Sequence, residues 1–148
     1  MWDIISSVAT AIGSILTAIG VFLAGRQLRI AQTQSITEFE DSFDQQYRAL
    51  TMEIPVDVLL GKPVKPEERE DVRELIFNYL DLANEQVFLR SENRILDATW
   101  RSWKEGIKSN LSKQGFEEVF DEVRGVAGFT YLERLVETEF QTDPRQFR

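Results

Sequence analysis

The chain predicts an all-α protein: one N-terminal transmembrane helix that continues into a cytoplasmic helical bundle of about five helices. Three observations lead there. Residues 4–25 run without one charged side chain, and Arg26 and Arg29 follow at once. Beyond them, apolar residues recur three and four apart in segment after segment, the spacing of helix faces. No alternating strand pattern competes anywhere.

The uncharged run sets the class. Its 22 residues make a helix about 33 Å long at about 1.5 Å per residue, enough to cross a hydrocarbon core of roughly 30 Å. A secretory signal would open on basic residues, carry a shorter apolar stretch and end at a cleavage site of small residues. Met1-Trp2-Asp3 is acidic instead. A buried core helix is the other reading, but it seldom runs this long without charge. Arg26 and Arg29 sit within one turn of the span. The positive-inside rule then puts the N-terminus outside and residues 26–148 in the cytoplasm, with Trp2 at the interface.

The span has two sides. On a helical wheel Ile4, Ile5, Val8, Ile12, Ile15, Leu16, Ile19, Phe22 and Leu23 share an arc of about 120°. Ser6, Ser7, Ala9, Thr10, Gly13, Ser14, Thr17, Gly20 and Ala24 hold the other side, with Val21 the exception. Along it Ser6, Thr10, Gly13, Thr17, Gly20 and Ala24 repeat at spacings of 4, 3, 4, 3 and 4. Lipid gives no hydrophobic drive for helix association, so close backbone approach and hydroxyl hydrogen bonds must supply it. A seam of small, hydroxyl-bearing residues meets that need and predicts self-association. The bland reading is that small residues are common in membrane helices. A sharper one is a ring of spans turning Ser7, Thr10, Ser14 and Thr17 toward a narrow polar lumen.

Residues 26–53 contain no Pro or Gly, so the helix is expected to leave the membrane unbroken. Residues 26–34 read as a polar neck. Ile36, Phe39, Phe43, Tyr47, Leu50 and Ile54 then form a packing stripe. A membrane-lying role for that stretch is disfavoured by Glu38, Glu40, Asp41, Asp44 and Glu53, which anionic lipids repel. Pro55 opens a short helix that Gly61 ends. Lys62-Pro63-Val64-Lys65-Pro66 is a linker. Pro66 opens the next helix, with Glu67, Glu68, Glu70 and Asp71 near its positive end.

That next helix is apolar on two sides. Val72, Leu75, Ile76, Tyr79, Leu82, Ala83 and Val87 make one face, and Phe77 and Phe88 lie on another. It therefore reads as the most buried helix, ending where Asn93 takes a left-handed turn. Asp97 is expected to cap the following helix, whose inner side carries Trp100, Trp103, Ile107 and Leu111. Phe116, Val119, Phe120 and Val123 mark a further helix, ended by Gly125 and Gly128. Phe129, Leu132, Leu135, Val136 and Phe140 mark the last. The tail from residue 142, with Pro144, is expected to fray. The division is thus a transmembrane anchor (1–25), a neck and long amphipathic helix (26–54) and a cytoplasmic helical domain (55–148).

Composition narrows the chemistry. The net charge is −8, of which Asp3 supplies −1 within residues 1–25, leaving −7 on the remainder. Such a domain repels phosphate backbones, so nucleic acid is not an expected partner. The chain has no cysteine and no histidine. Disulfides, Cys- or His-based zinc sites and Cys-His or Ser-His-Asp nucleophiles are therefore excluded. No cofactor or metal is expected. Gly125 and Gly128 lack the lysine and strand of a phosphate loop. Trp100 and Trp103, at helical spacing beside Ile107, read as core rather than as a stacking platform.

One polar group in the central helix invites a functional reading. Asn78, Asp81, Asn84 and Glu85 are expected to form a buried polar cluster, with Asp81 and Glu85 one turn apart. Such carboxylates could work as an acid and base or hold a divalent cation. The structural alternative pairs them with Arg90, Arg94 or Arg101, as buried polar groups are usually satisfied.

Phe77-Asn78-Tyr79, Asn84-Glu85-Gln86-Val87-Phe88-Leu89, Arg94-Ile95, Trp100-Arg101-Ser102-Trp103 and Glu105-Gly106-Ile107 together resemble a group of small bacterial single-span membrane proteins of unknown function with a helical cytoplasmic domain. The resemblance covers most of the chain and is most specific in residues 77–107. It implies a location in the inner (cytoplasmic) membrane and a helical fold, and it brings no activity. The layout is also similar to small CRISPR-associated membrane effectors that form oligomeric pores. Their nuclease-like helical domain displays an Arg followed a few residues later by His, and this chain has no His.

The functional expectation is a non-enzymatic, single-pass scaffold or interaction module that self-assembles through the small-residue seam. Its partners are the lipid bilayer, copies of itself and another membrane or cytoplasmic protein. One alternative is an oligomeric pore or membrane-depolarising effector. The other is a carboxylate-dependent enzyme centred on Asp81 and Glu85.

Overall fold

A computed structural model describes the chain from Trp2 to Phe147, with side chains described for residues 13, 14 and 16–147. Every regular element among the described residues is helical. The helices are α1 (Trp2–Glu53), α2 (Val56–Leu59), α3 (Arg69–Ser91), α4 (Asp97–Leu111), α5 (Gln114–Val123) and α6 (Thr130–Glu137), with 3₁₀ turns at Pro66–Glu68 and Pro144–Gln146. The chain divides into two compact units, the first ending at Phe39 and the second beginning at Glu40.

The first unit is helix alone. As the absence of Pro and Gly after Gly25 predicts, α1 is unbroken to Glu53. Among the described residues no helix is long and apolar enough to cross a membrane. Of the expected span, the side chains of residues 4–12 and of Ile15 lie outside the described set.

The second unit is built around α3. Val72, Ile76, Tyr79, Leu80, Leu82, Ala83, Val87 and Leu89 are buried on it, and α5, α6 and the Pro144 turn all pack against it. Around α3 the buried side chains are Phe43, Ile54, Val58, Trp100, Trp103, Ile107, Phe116, Val119, Phe120, Leu132 and Leu135. Each such side chain taken from water stabilises the fold by about 1.5–3 kcal/mol. The second aromatic side of α3 is used as well. Phe77 packs on Phe129 with ring centroids 5.3 Å apart, and Phe88 on Tyr131 at 5.0 Å.

Helix ends follow local chemistry. Asn93 takes φ 57°; its N–H donates to the Arg90 carbonyl and that of Arg94 to the Leu89 carbonyl, both at 3.0 Å. These two bonds close the Schellman pattern and satisfy carbonyls that α3 would otherwise leave open.

Two expectations are corrected here. Asp97 does not cap α4: Leu96 holds the N-cap position and Asp97 is the first helical residue. Its carboxylate pairs with Arg90 at 2.7 Å instead. The tail does not fray at residue 142. Pro144 is buried and Asp143 is bound by Arg90, an ion pair that propensity alone does not reveal.

Candidate functional site

The expected buried cluster on α3 is not buried. Asn78, Asp81 and Glu85 are exposed, and Asn84 is half-buried. The reason is geometric: residues 78, 81 and 85 recur at helical spacing on the side away from the core stripe 72, 76, 79, 83, and so form the solvent face of α3. Among the described residues, Asn84 alone of the four has a hydrogen-bond partner on another helix. Its Oδ1 accepts the N–H groups of Tyr131 and Leu132, both at 3.1 Å. Helix α6 has Phe129 at its N-cap, a residue with no acceptor, so Asn84 supplies from α3 what an N-cap side chain normally supplies locally. Among the described residues no group of three acidic side chains is placed to hold a metal ion.

The seam residues that can be described are open. Gly13, Ser14, Thr17, Gly20 and Ala24 are exposed, as are Arg26 and Arg29. A Cβ added at Gly13, Gly20 or Gly25 would meet nothing within 4 Å. Thr17 donates its hydroxyl to the Gly13 carbonyl at 2.9 Å, the usual way a helix satisfies a hydroxyl without water. Ser6, Ser7 and Thr10 have side chains outside the described residues.

Among the described residues of the second unit four polar side chains are buried, and none of them is an expected site residue: Glu40, Gln86, Arg90 and Asn110. A signal for three was present. Gln86 and Arg90 continue the stripe 72, 76, 79, 83, and Glu40 falls between Ile36 and Phe43 on theirs. A polar residue at a position the pattern reserves for apolar ones must find partners or a cavity.

Arg90 finds partners. Its Nε donates to Asp143 Oδ1 at 3.1 Å, one Nη to Asp143 Oδ2 at 2.7 Å, and the other to the Ile95 carbonyl at 2.9 Å. The guanidinium lies 6.0 Å from the centre of the Trp100 ring. Arg145 closes the network, reaching Asp143 at 2.9 Å and Asp97 at 3.3 Å. Burial pushes the Asp143 carboxyl upward, but hydrogen bonds from Arg90 and Arg145 outweigh it and hold the group well below the usual carboxylate value. The Arg90 hydrogen bond does the same for Asp97. This is a two-armed fork binding a carboxylate, and its work is to fasten the tail to α3.

Glu40 finds partners too. Its two carboxylate oxygens accept the Leu96 N–H and the Thr99 hydroxyl, each at 2.7 Å. Because Leu96 cannot cap α4, the carboxylate from α1 takes the part that a glutamate at the third helical position plays in a capping box.

Gln86 faces a cleft instead. The cleft, about 260 Å³, is bounded by Asp44, Tyr47 and Arg48 of α1, Tyr79 and Gln86 of α3, and Ser102, Trp103, Gly106 and Ile107 of α4. Trp103 Nε1 donates to Asp44 Oδ1 at 2.9 Å and so fixes one carboxylate oxygen. Tyr47 and Tyr79 meet edge to face, centroids 6.1 Å apart. Burial pushes the Tyr79 phenol above its ordinary value, so it stays protonated across the neutral range. Nothing here joins a nucleophile to a base. The arrangement can bind, with hydrogen-bonding groups set among aromatic walls.

Compared with known proteins, the chain matches no family model, no curated protein and no solved structure.

Proposed function

We propose that the protein is a non-enzymatic, single-pass scaffold of the inner membrane. Residues 4–25 span the bilayer, residues 26–148 lie in the cytoplasm, and copies associate through Ser6, Thr10, Gly13, Thr17, Gly20 and Ala24. One observation carries this reading. The uncharged run belongs to a single helix on which Leu16, Ile19, Val21, Phe22 and Leu23 are all at least half exposed. Large apolar side chains ranked along a helix need lipid or another helix around them.

The small side suits close approach, since Gly13 and Gly20 leave room for a neighbouring backbone. The Thr17 hydroxyl donates to the Gly13 carbonyl of its own helix and keeps its lone pairs to accept from a neighbouring span. The enzyme reading loses its focus, because Asp81 and Glu85 sit on the solvent face of α3.

Topology is the direct test. The chain has no cysteine, so one introduced thiol is the only one. An impermeant maleimide should label Asp3→Cys in cells with a permeabilised outer membrane, and Ser112→Cys only after lysis. Labelling of Ser112→Cys in intact cells would refute the orientation. Release of the protein by alkaline carbonate would refute the span.

A further inference from the structure

We propose that the cleft bounded by α1, α3 and α4 binds a small zwitterion, a free α-amino acid, with its carboxylate on Arg48, its ammonium on Asp44 and its side chain toward Gln86. The cleft lies wholly within the second compact unit, so the proposal does not depend on how residues 4–25 sit.

The first ground is Gln86. It is only 4 % exposed, it lines the cleft, and its amide makes no hydrogen bond to another described residue. Water in the cleft is the partner open to this amide, and a bound molecule could take that water's place.

The second ground is Gly106. It lies in the interior of α4, where glycine is less favourable than any residue but proline. Close packing does not demand it, because a Cβ there would meet nothing within 4 Å. What the missing side chain preserves is the open volume of the cleft it lines.

The third ground is charge. Asp44 and Arg48 are one helical turn apart, where side chains are neighbours, and both border the cleft. One oxygen of Asp44 is held by Trp103, which leaves the other to accept. The Arg48 guanidinium forms no ion pair with a described residue. An anion alone would meet Asp44 and a cation alone would meet Arg48. A molecule carrying both charges satisfies each. Size agrees: about 260 Å³ is smaller than the roughly 300–1,000 Å³ of sites for drug-sized ligands. Tyr47, Tyr79 and Ile107 provide apolar wall.

Isothermal titration of the full chain in mild detergent, with each common L-amino acid in turn, tests this. At least one should bind one to one. Arg48→Met, at an exposed position, and Gln86→Leu should each weaken it about tenfold or more. Gly106→Leu should abolish binding while the cooperative melt persists. The matching amine without carboxylate, and acid without amine, should bind about tenfold more weakly or not at all. The proposal is overturned if no amino acid binds, if Arg48→Met and Gln86→Leu bind as the parent does, if folded Gly106→Leu still binds, if the truncated analogues match the parent, or if crystals grown with the amino acid hold only water in the cleft.

Discussion

The Glu40 carboxylate of α1 accepts the Leu96 N–H at the start of α4 at 2.7 Å. The two residues are 56 positions apart in the chain, so a helix end is completed by a side chain that local sequence cannot supply. Glu40→Ala removes a buried acceptor and strands two donors. A loss of about 1–3 kcal/mol is expected. Thr99→Val should cost less, because the Leu96 N–H keeps its partner. Urea unfolding of both variants, followed by circular dichroism, checks the order.

Asn84 does the same for α6. Asn84→Ala should cost about 1 kcal/mol, the usual value of a helix cap. The loss should be local as well as global. Hydrogen exchange at the Tyr131 and Leu132 amides, which donate to Asn84, should quicken more than exchange in the middle of α4. Unchanged exchange at those two amides would contradict the cap.

The tail depends on ionised carboxylates. Asp143 and Asp97 both have lowered folded values, against about 3.9 when unfolded. The stabilisation they give is therefore complete above about pH 5 and fades as pH falls through and below that unfolded value. Limited proteolysis near residue 142 should accelerate on acidification through this window, while neutral to mildly alkaline pH changes nothing. Arg90→Met should release the tail at neutral pH and cost about 3 kcal/mol, the low end for breaking a buried pair, since both carboxylates can regain water.

The anchor predictions separate two outcomes. Gly13→Ile and Gly20→Ile place bulk on the seam without strain inside the chain, because neither Cβ has a neighbour within 4 Å. Both should disperse the assembly, while Ile12→Leu on the bulky side should leave it intact. In liposomes a scaffold passes no ions. Were the protein a pore, it would leak, and Thr10→Leu would stop the leak.

Much of the fold could be read from periodicity. The stripes on α3, α4, α5 and α6 named much of what the core buries, among them Ile76, Trp103, Phe116 and Leu132, but Leu80 and Leu89 are buried outside them, Leu75, Leu111 and Val136 are only half-buried, and Phe140 falls beyond the end of α6. The turn at Asn93 followed from the left-handed conformation it tolerates. What was missed depends on distant partners. Asp97 looks like a cap until Arg90 is beside it. Asn84 looks like one of four polar neighbours until α6 starts against it. Glu40, Gln86 and Arg90 each occupy an apolar register position, and that anomaly was readable. Their partners were not, because 56 residues separate Glu40 from Leu96 and 53 separate Arg90 from Asp143.

The claim on which the functional reading rests is lateral association of the spans. Its most direct measurement is the detergent-free mass of the full-length chain extracted in mild detergent, by light scattering with refractive-index and absorbance detection. The account predicts a uniform species of two or more copies that falls to one copy with Gly13→Ile and Gly20→Ile together. A single copy for the parent chain, or an assembly indifferent to both substitutions, would contradict it.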